Sequence, residues 1–331
     1  MSTLKLGIVG VGHLGAIHAK LASEIENIEL VGVFDLDQSR CQEVARCYGC
    51  RAYASLDSLL QAVEAVSIVV PTEAHFQTAA QALEAGCHAF IEKPITAQVH
   101  EGKRLVDLAA ERGRILQIGH IERFNPAYLA LAGIELSPMF IESHRLSTFN
   151  PRGTDVSVIL DLMIHDIDII LSLIPATVRS IHACGVNVVS EAEDIANVRL
   201  SFDNGAVANL TASRISAKDM RKMRLFQKNT YLSIDFLAKK SEIISLTEGQ
   251  QPDLPQDACN LGTIGTGDKE RSVVLRSPTA PEVNPLQLEL QAFAEAAVTG
   301  TEPIVTGQDG LRALEIAAII LDQIARPAET G

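Results

Sequence analysis

Leu6-Gly7-Ile8-Val9-Gly10-Val11-Gly12-His13-Leu14-Gly15 is the stretch from which the rest of the chain can be read. Leu6 to Val9 is a short apolar run that predicts a buried strand, and Ala16 to Ile25 has the spacing of a helix. Between them the glycines fall as Gly-x-Gly-x-x-Gly. A dinucleotide site needs that order: Gly10 makes the tight turn, Gly12 lets backbone approach a pyrophosphate, and Gly15 lets helix pack on strand. The phosphates then sit on the helix N-terminus, beside His13 and Leu14, where free N–H groups and the helix dipole favour negative charge. Val31 to Phe34 predicts a second strand. Asp35 ends it, 20 residues past Gly15, where a carboxylate accepts hydrogen bonds from the ribose hydroxyls.

The alternation continues outward. Helices are expected over Gln38–Cys47, Ser55–Gln61, Ala74–Glu84 and Thr96–Gly113, with strands at Ala65–Val70, His88–Ile91 and Arg114–Ile118. Helical crossovers make such a sheet parallel and doubly wound, with ligands beyond the carboxyl ends of its strands. Gly10, Asp35, Pro71-Thr72 with His75, and Glu92-Lys93-Pro94 all fall at those ends. From about Ile121 the pattern changes. A strand at Met139–Phe149 and a helix over Val156–Leu173 precede six β segments between Val178 and Leu246. Asp203-Asn204-Gly205 is a hairpin turn among them. This predicts a mostly antiparallel sheet with one face covered by helices. Thr247–Asp268 is expected to be a surface loop, and helices over Leu286–Thr299 and Asp309–Arg326 close the chain.

With 331 residues, about two domains are expected. A formal charge of −13 argues against a nucleic-acid surface, which needs clustered Lys and Arg. No stretch approaches the ~20 apolar residues of a membrane span, and no basic and apolar leader precedes the first strand. A cytoplasmic protein is expected. The six cysteines lack a second ligand pair to complete a zinc site with Cys47 and Cys50, so no metal is expected.

Three side chains stand out for chemistry. Lys93 follows a buried strand directly, at the edge where a nicotinamide would lie. Asp161 and His165 are four apart on a predicted helix and share a face. A carboxylate there can orient the imidazole for proton transfer. A surface lysine and a helix-face ion pair are the ordinary alternatives.

Gly10-x-Gly12-x-x-Gly15 with His18, Pro71-Thr72 with His75, Glu92-Lys93-Pro94 and Asp161-x-x-x-His165 together resemble the glucose–fructose oxidoreductase, inositol dehydrogenase and rhizopine-catabolism (Gfo/Idh/MocA) family. The resemblance implies an α/β protein. A Rossmann domain over 1–121 with a doubly wound parallel sheet would be followed by a C-terminal domain over 122–331. That second domain would carry a large open mixed, mostly antiparallel sheet and serve substrate binding and oligomerisation in a homodimer or homotetramer. It implies NAD or NADP bound by Gly10, Gly12, His13, Leu14, Asp35, Pro71, Thr72, His75, Glu92 and Lys93. Lys93, Asp161 and His165 would be catalytic and touch substrate, either Lys93 or His165 acting as base. Many members place a glycine between that Asp and His, whereas this chain has Leu162-Met163-Ile164. Residues 120–126 and 149–155 are similar to nucleotide-sugar members that oxidise C3 of UDP-N-acetylglucosamine, and so to a place in lipid A or cell-surface polysaccharide synthesis. There Arg123 and Arg152 would meet the diphosphate and Asn125 or Asn150 the sugar. Asp35 favours NAD, because a 2′-phosphate would face its charge. A free sugar or inositol is the rival substrate, and a non-catalytic NAD-binding sensor the rival class.

Overall fold

The structure, a computed structural model, describes residues 3–150, 156–248 and 254–326. By contact the chain divides into two compact units, Met1–Ile121 with Val283–Glu315, and Glu122–Glu282 with Ile316–Gly331.

The first unit opens with β1 (Leu4–Val9), α1 (His13–Glu24), β2 (Ile28–Phe34), α2 (Gln38–Tyr48), β3 (Arg51–Ala52) and α3 (Leu56–Leu60). It continues through β4 (Ala65–Ile68), α4 (Thr72–Glu84), β5 (His88–Glu92), α5 (Val99–Arg112) and β6 (Leu116–Gly119). The six strands lie in the order β3-β2-β1-β4-β5-β6, all parallel. The chain thus starts at mid-sheet, winds to one edge and returns to build the other. The switch point lies between β1 and β4, beside the glycine turn. Helices on both faces explain why β4 and β6 are buried at every residue rather than at alternate ones. β3, only two residues long and without an apolar run, carries no strand signal in the sequence.

The second unit begins with α6 (Pro126–Leu129) and β7 (Phe140–Leu146). A π-helical turn at Ile159–Met163 leads into α7 (Ile164–Leu173). Then come β8 (Val178–Val186), β9 (Ile195–Phe202), β10 (Val207–Ser213), β11 (Met220–Gln227) and β12 (Thr230–Asp235). β13 (Lys240–Glu248), β14 (Ala258–Ile264) and β15 (Arg271–Arg276) complete a nine-stranded sheet, ordered β14-β15-β13-β12-β11-β7-β10-β9-β8. Every pair is antiparallel except β10 with β7. Burial alternates along β7 and β9, so one face packs inward and the other is open. The β9–β10 hairpin turns at Gly205, whose φ of +84° suits glycine.

Two expectations are corrected. Residues 258–264, expected in a loop, form edge strand β14. It is exposed along nearly its whole length, so no apolar alternation betrays it, and its register shifts between Asn260 and Gly262. A single boundary at 121/122 also proves too simple. Helix α8 (Pro285–Thr299) returns to the first unit, where Leu286, Leu290 and Phe293 join its apolar core and Phe293 packs edge-on against Phe90. The last helix, α9 (Gly307–Ala325), contributes residues to both units.

Candidate active site

The glycine turn has the geometry its spacing predicts. Gly10 has φ +85°, and a Cβ there would lie 2.5 Å from the Val69 carbonyl oxygen. A Cβ on Gly15 would fall 1.9 Å from the Gly10 carbonyl oxygen, so α1 can approach β1 only without one. At Gly12 an added Cβ meets no protein atom, so nothing in the chain itself demands glycine there. The open space leaves the Gly12 backbone accessible to a ligand. Asp35 secures the turn: its carboxylate accepts from Val11 N at 2.7 Å and from Asp37 N at 2.9 Å. Gly12 caps α1 without a side chain, and no acidic residue occupies the first turn, which leaves that end open to an anion. A cleft of about 580 Å³ lies alongside, lined among others by Gly10, Gly12, Asp35, Arg40, Pro71 and Gln77. These residues fit a dinucleotide with its pyrophosphate on α1. His13 and Leu14 are exposed at the same helix start.

Lys93 sits half-buried on the turn that follows β5, and its neighbours on both sides are held by buried histidines. His18 on α1 places Nε2 3.1 Å from Glu92 Oε1 and Nδ1 2.9 Å from Ser67 Oγ. His75, expected to contact a cofactor, is 1% exposed. Its Nδ1 lies 2.8 Å from the Pro94 carbonyl oxygen and its Nε2 3.0 Å from that of Val70. Both ring nitrogens therefore face backbone carbonyls, and a neutral ring donates to one of them. Burial pushes the His75 pKa down, against the pull of the two carbonyls and of Glu92 and Glu73. Pro71 caps α4 at the cleft, and Thr72 opens the helix.

In the second unit Asp161 lies on the π-turn and His165 in the first turn of α7, both half-buried. The stretch Leu162-Met163-Ile164, where many relatives have glycine, closes that wide turn. The Ile164 N–H reaches back to the Ile159 carbonyl, five residues earlier. Asp166 and Asp168 of α7 are buried in ion pairs. Arg145 Nε and Nη2 donate to the two Asp166 oxygens at 2.9 and 3.0 Å, and Nη1 donates to Glu122 at 2.8 Å. The Arg145 pKa is raised, because these two carboxylates outweigh the desolvation that opposes its charge. Sequence reasoning missed this triad, whose members are scattered along the chain without a motif.

Arg123 and Asn125 take on scaffold work. Arg123, expected at a diphosphate, grips Asp168 with Nε at 2.6 Å and Nη2 at 2.9 Å. Asn125, expected at the sugar, caps α6 by accepting from Ala127 N at 3.0 Å. Its amide donates to Glu122 at 2.9 Å and to the Phe236 carbonyl at 3.1 Å. Both side chains thus have partners within their own unit. Asn150 is exposed, and Arg152 lies outside the described residues. Among the described residues no group of three His, Cys, Asp or Glu side chains is placed to hold a metal ion. No helix among them is long and apolar enough to cross a membrane.

A doubly wound sheet in this strand order, with a glycine turn, an open helix end and an acidic residue closing the second strand, defines a dinucleotide-binding domain. The chain belongs to the Gfo/Idh/MocA family. The family model described as an oxidoreductase family with NAD-binding Rossmann fold matches residues 4–120, and the model for the Gfo/Idh/MocA C-terminal domain matches residues 139–230. UDP-N-acetylglucosamine 3-dehydrogenase from Acidithiobacillus ferrooxidans is 39% identical over 319 residues, 96% of each chain. A solved structure of that enzyme superposes with a TM-score of 0.84 at 37% identity, covering 97% of both chains. The scyllo-inositol 2-dehydrogenase (NAD(+)) of Bacillus subtilis is 29% identical over 334 residues, 95% of this chain and 92% of that one.

Proposed function

We propose that this protein oxidises a ring hydroxyl of a nucleotide sugar with NAD, at C3 of UDP-N-acetylglucosamine, giving the 3-keto sugar. The observation that carries the reading is the 39% identity, end to end, with an enzyme named for that reaction. Lys93, Asp161 and His165 supply the chemistry it needs. NAD, when bound, supplies the hydride acceptor. Lys93 binds the reacting hydroxyl and steadies negative charge on its oxygen. Asp161 orients His165, whose imidazole takes the hydroxyl proton as the C–H bond breaks and the carbonyl forms. With Arg123 committed to Asp168, the diphosphate falls to other positive groups, Arg152 first among those the sequence points to. NAD is preferred to NADP because the Asp35 carboxylate stands where a 2′-phosphate would go. Arg40, the nearest compensating charge along the chain, is exposed and 3.6 Å from Asp37.

The open face of the large sheet supports a homo-oligomer. A cross-strand row of Val207, Phe140, Phe226, Tyr231, Ile244 and Leu275 runs over six strands on that face,. Such an apolar stripe matches a second copy of itself.

The test is NADH formation at 340 nm with a panel of UDP-sugars, free sugars and inositols, each with NAD and NADP and with a keto-group trap. Turnover of UDP-N-acetylglucosamine with NAD is the expected result. Turnover confined to inositol or free sugars overturns the nucleotide-sugar reading. Lys93→Ala should lower kcat about 10³-fold while NAD affinity, measured by calorimetry, stays unchanged.

A further inference from the structure

We propose that His18 and His75 are positioning residues for Lys93, bracing the Glu92-Lys93-Pro94 turn from two buried sides. The inference rests on the reading above that Lys93 touches the reacting hydroxyl. His18 acts through Glu92. Ser67 is a hydroxyl in the otherwise apolar, fully buried strand β4, and its partner is His18 Nδ1. His18 Nε2 stands 3.1 Å from Glu92 Oε1 without the alignment of a hydrogen bond, while Nδ1 shares a hydrogen bond of 2.9 Å with the Ser67 hydroxyl. The Ser67 contact aims the ring, with its Nε2 edge towards Glu92. The Glu92 carboxylate is confined on another side by Gly119, its neighbour on β6. A Cβ on Gly119 would lie 3.1 Å from the carboxyl carbon and from both oxygens. The Glu92 side chain is 15% exposed, with the buried His18 ring against it.

His75 acts through Pro94. Its Nδ1 contact to the Pro94 carbonyl is the shorter of its two, and the opposite nitrogen faces Val70, next to Pro71 at the nucleotide cleft. The ring thus lies between the turn after β5 and the turn after β4, and in its neutral form it donates to one of the two carbonyls. Neither histidine is at the cleft wall, and each turns one ring nitrogen towards a residue that flanks Lys93. Burying such groups costs free energy unless they are bonded, and leucine would fill either space without that cost. What the imidazoles add is direction. Lys93 is the residue that direction serves.

The substitutions that test this are His18→Leu and His75→Leu, with His18→Gln and His75→Asn as amides that offer a donor towards Glu92 and Pro94. Two readouts are needed. The first is kcat with NAD and UDP-N-acetylglucosamine, beside the calorimetric Kd for NAD. The second needs no substrate: the ¹³C NMR signal of reductively methylated Lys93, assigned by its loss in Lys93→Arg. The leucine variants should lose about 10- to 100-fold in kcat, with Kd held within about twofold and a displaced Lys93 signal. The amide variants should regain most of both. Unchanged kcat and an unmoved signal in folded leucine variants overturn the proposal. So does a loss that the amides fail to recover, because it assigns the rings to packing alone. If the leucine variants fail to fold, Ser67→Ala, which removes only the group that aims His18, carries the same readouts. Absence of turnover in the unmodified protein would sink the functional reading, while the Lys93 signal still decides this one.

Discussion

The two units differ in the charges they bury. In the first, apart from Glu289, the buried polar side chains are Ser67, Thr96, Gln117 and the histidines His18, His75 and His120. In the second, buried serines and Asn125 are joined by ion pairs: Arg145 with Glu122 and Asp166, Arg123 with Asp168, and Asp194 with Arg214. Neutral hydrogen-bonded groups cost little once paired and tolerate loss of one partner better than charges do. A buried ion pair is different: removing one partner strands the other in a low-dielectric interior. The comparison teaches where each unit is vulnerable. The first should lose function before stability, and the second stability before function.

The largest expected effect is in the second unit. Arg145→Met leaves buried Asp166 without its ion-pair partner and Glu122 with the longer 3.6 Å contact to Arg221, and should cost about 3–5 kcal/mol in urea unfolding. Neutralising the partners as well, by Glu122→Gln and Asp166→Asn, should return a large part of that loss. A single-variant cost below about 1 kcal/mol would put the pair in the range of exposed salt bridges and erase the contrast.

Next comes the first unit's glycine turn. Gly15→Ala drives a methyl into the Gly10 carbonyl and should cost about 1–3 kcal/mol. The stronger consequence is for NAD, whose Kd should rise at least tenfold as α1 and its N-terminus are pushed away. Unaltered NAD affinity would mean that the close helix–strand approach is not what shapes the site.

The smallest effect is a pH dependence. Asp194 is buried and ringed by donors: the N–H groups of Val188, Val189 and Ser190 at 2.8, 2.6 and 2.9 Å, and the Ser190 hydroxyl at 2.6 Å. Burial raises its pKa, but these donors outweigh burial and hold it well below the ordinary carboxylate range. A depressed folded-state pKa means the stabilisation is complete above the unfolded value of about 3.9 and is lost as pH falls below it. The difference in Tm between the unaltered protein and Asp194→Asn should therefore be greatest at neutral pH. It should shrink from about pH 4 downwards. A difference that stays constant with pH would remove the carboxylate's charge from the account.

How far the chain can be read without its fold follows the same division. The first unit's site is built from groups close in sequence to their strand ends. Gly10, Asp35, Pro71 and Lys93 each announce themselves by following an apolar run. His75 was legible as part of the edge but not in its task, since its partner Pro94 is 19 residues away. In the second unit, Arg123 and Asn125 look like ligands for a phosphate and a sugar because nothing in their vicinity shows a partner. Asp168 lies 45 residues from Arg123, and the Phe236 carbonyl 111 from Asn125. The π-turn at Ile159–Met163 also leaves no mark beyond an absent glycine.

Local spacing alone determined the winding of the parallel sheet and the glycine turn, because these depend on periodicity and on residues within a few turns of one another. Tertiary structure decided which charges are neutralised, that α8 returns to the first core, that residues 258–264 become a strand, and that two histidines turn inward behind Lys93. Those outcomes depend on which distant groups come together once the apolar faces are buried. A burial cost is settled only by the partner that relieves it.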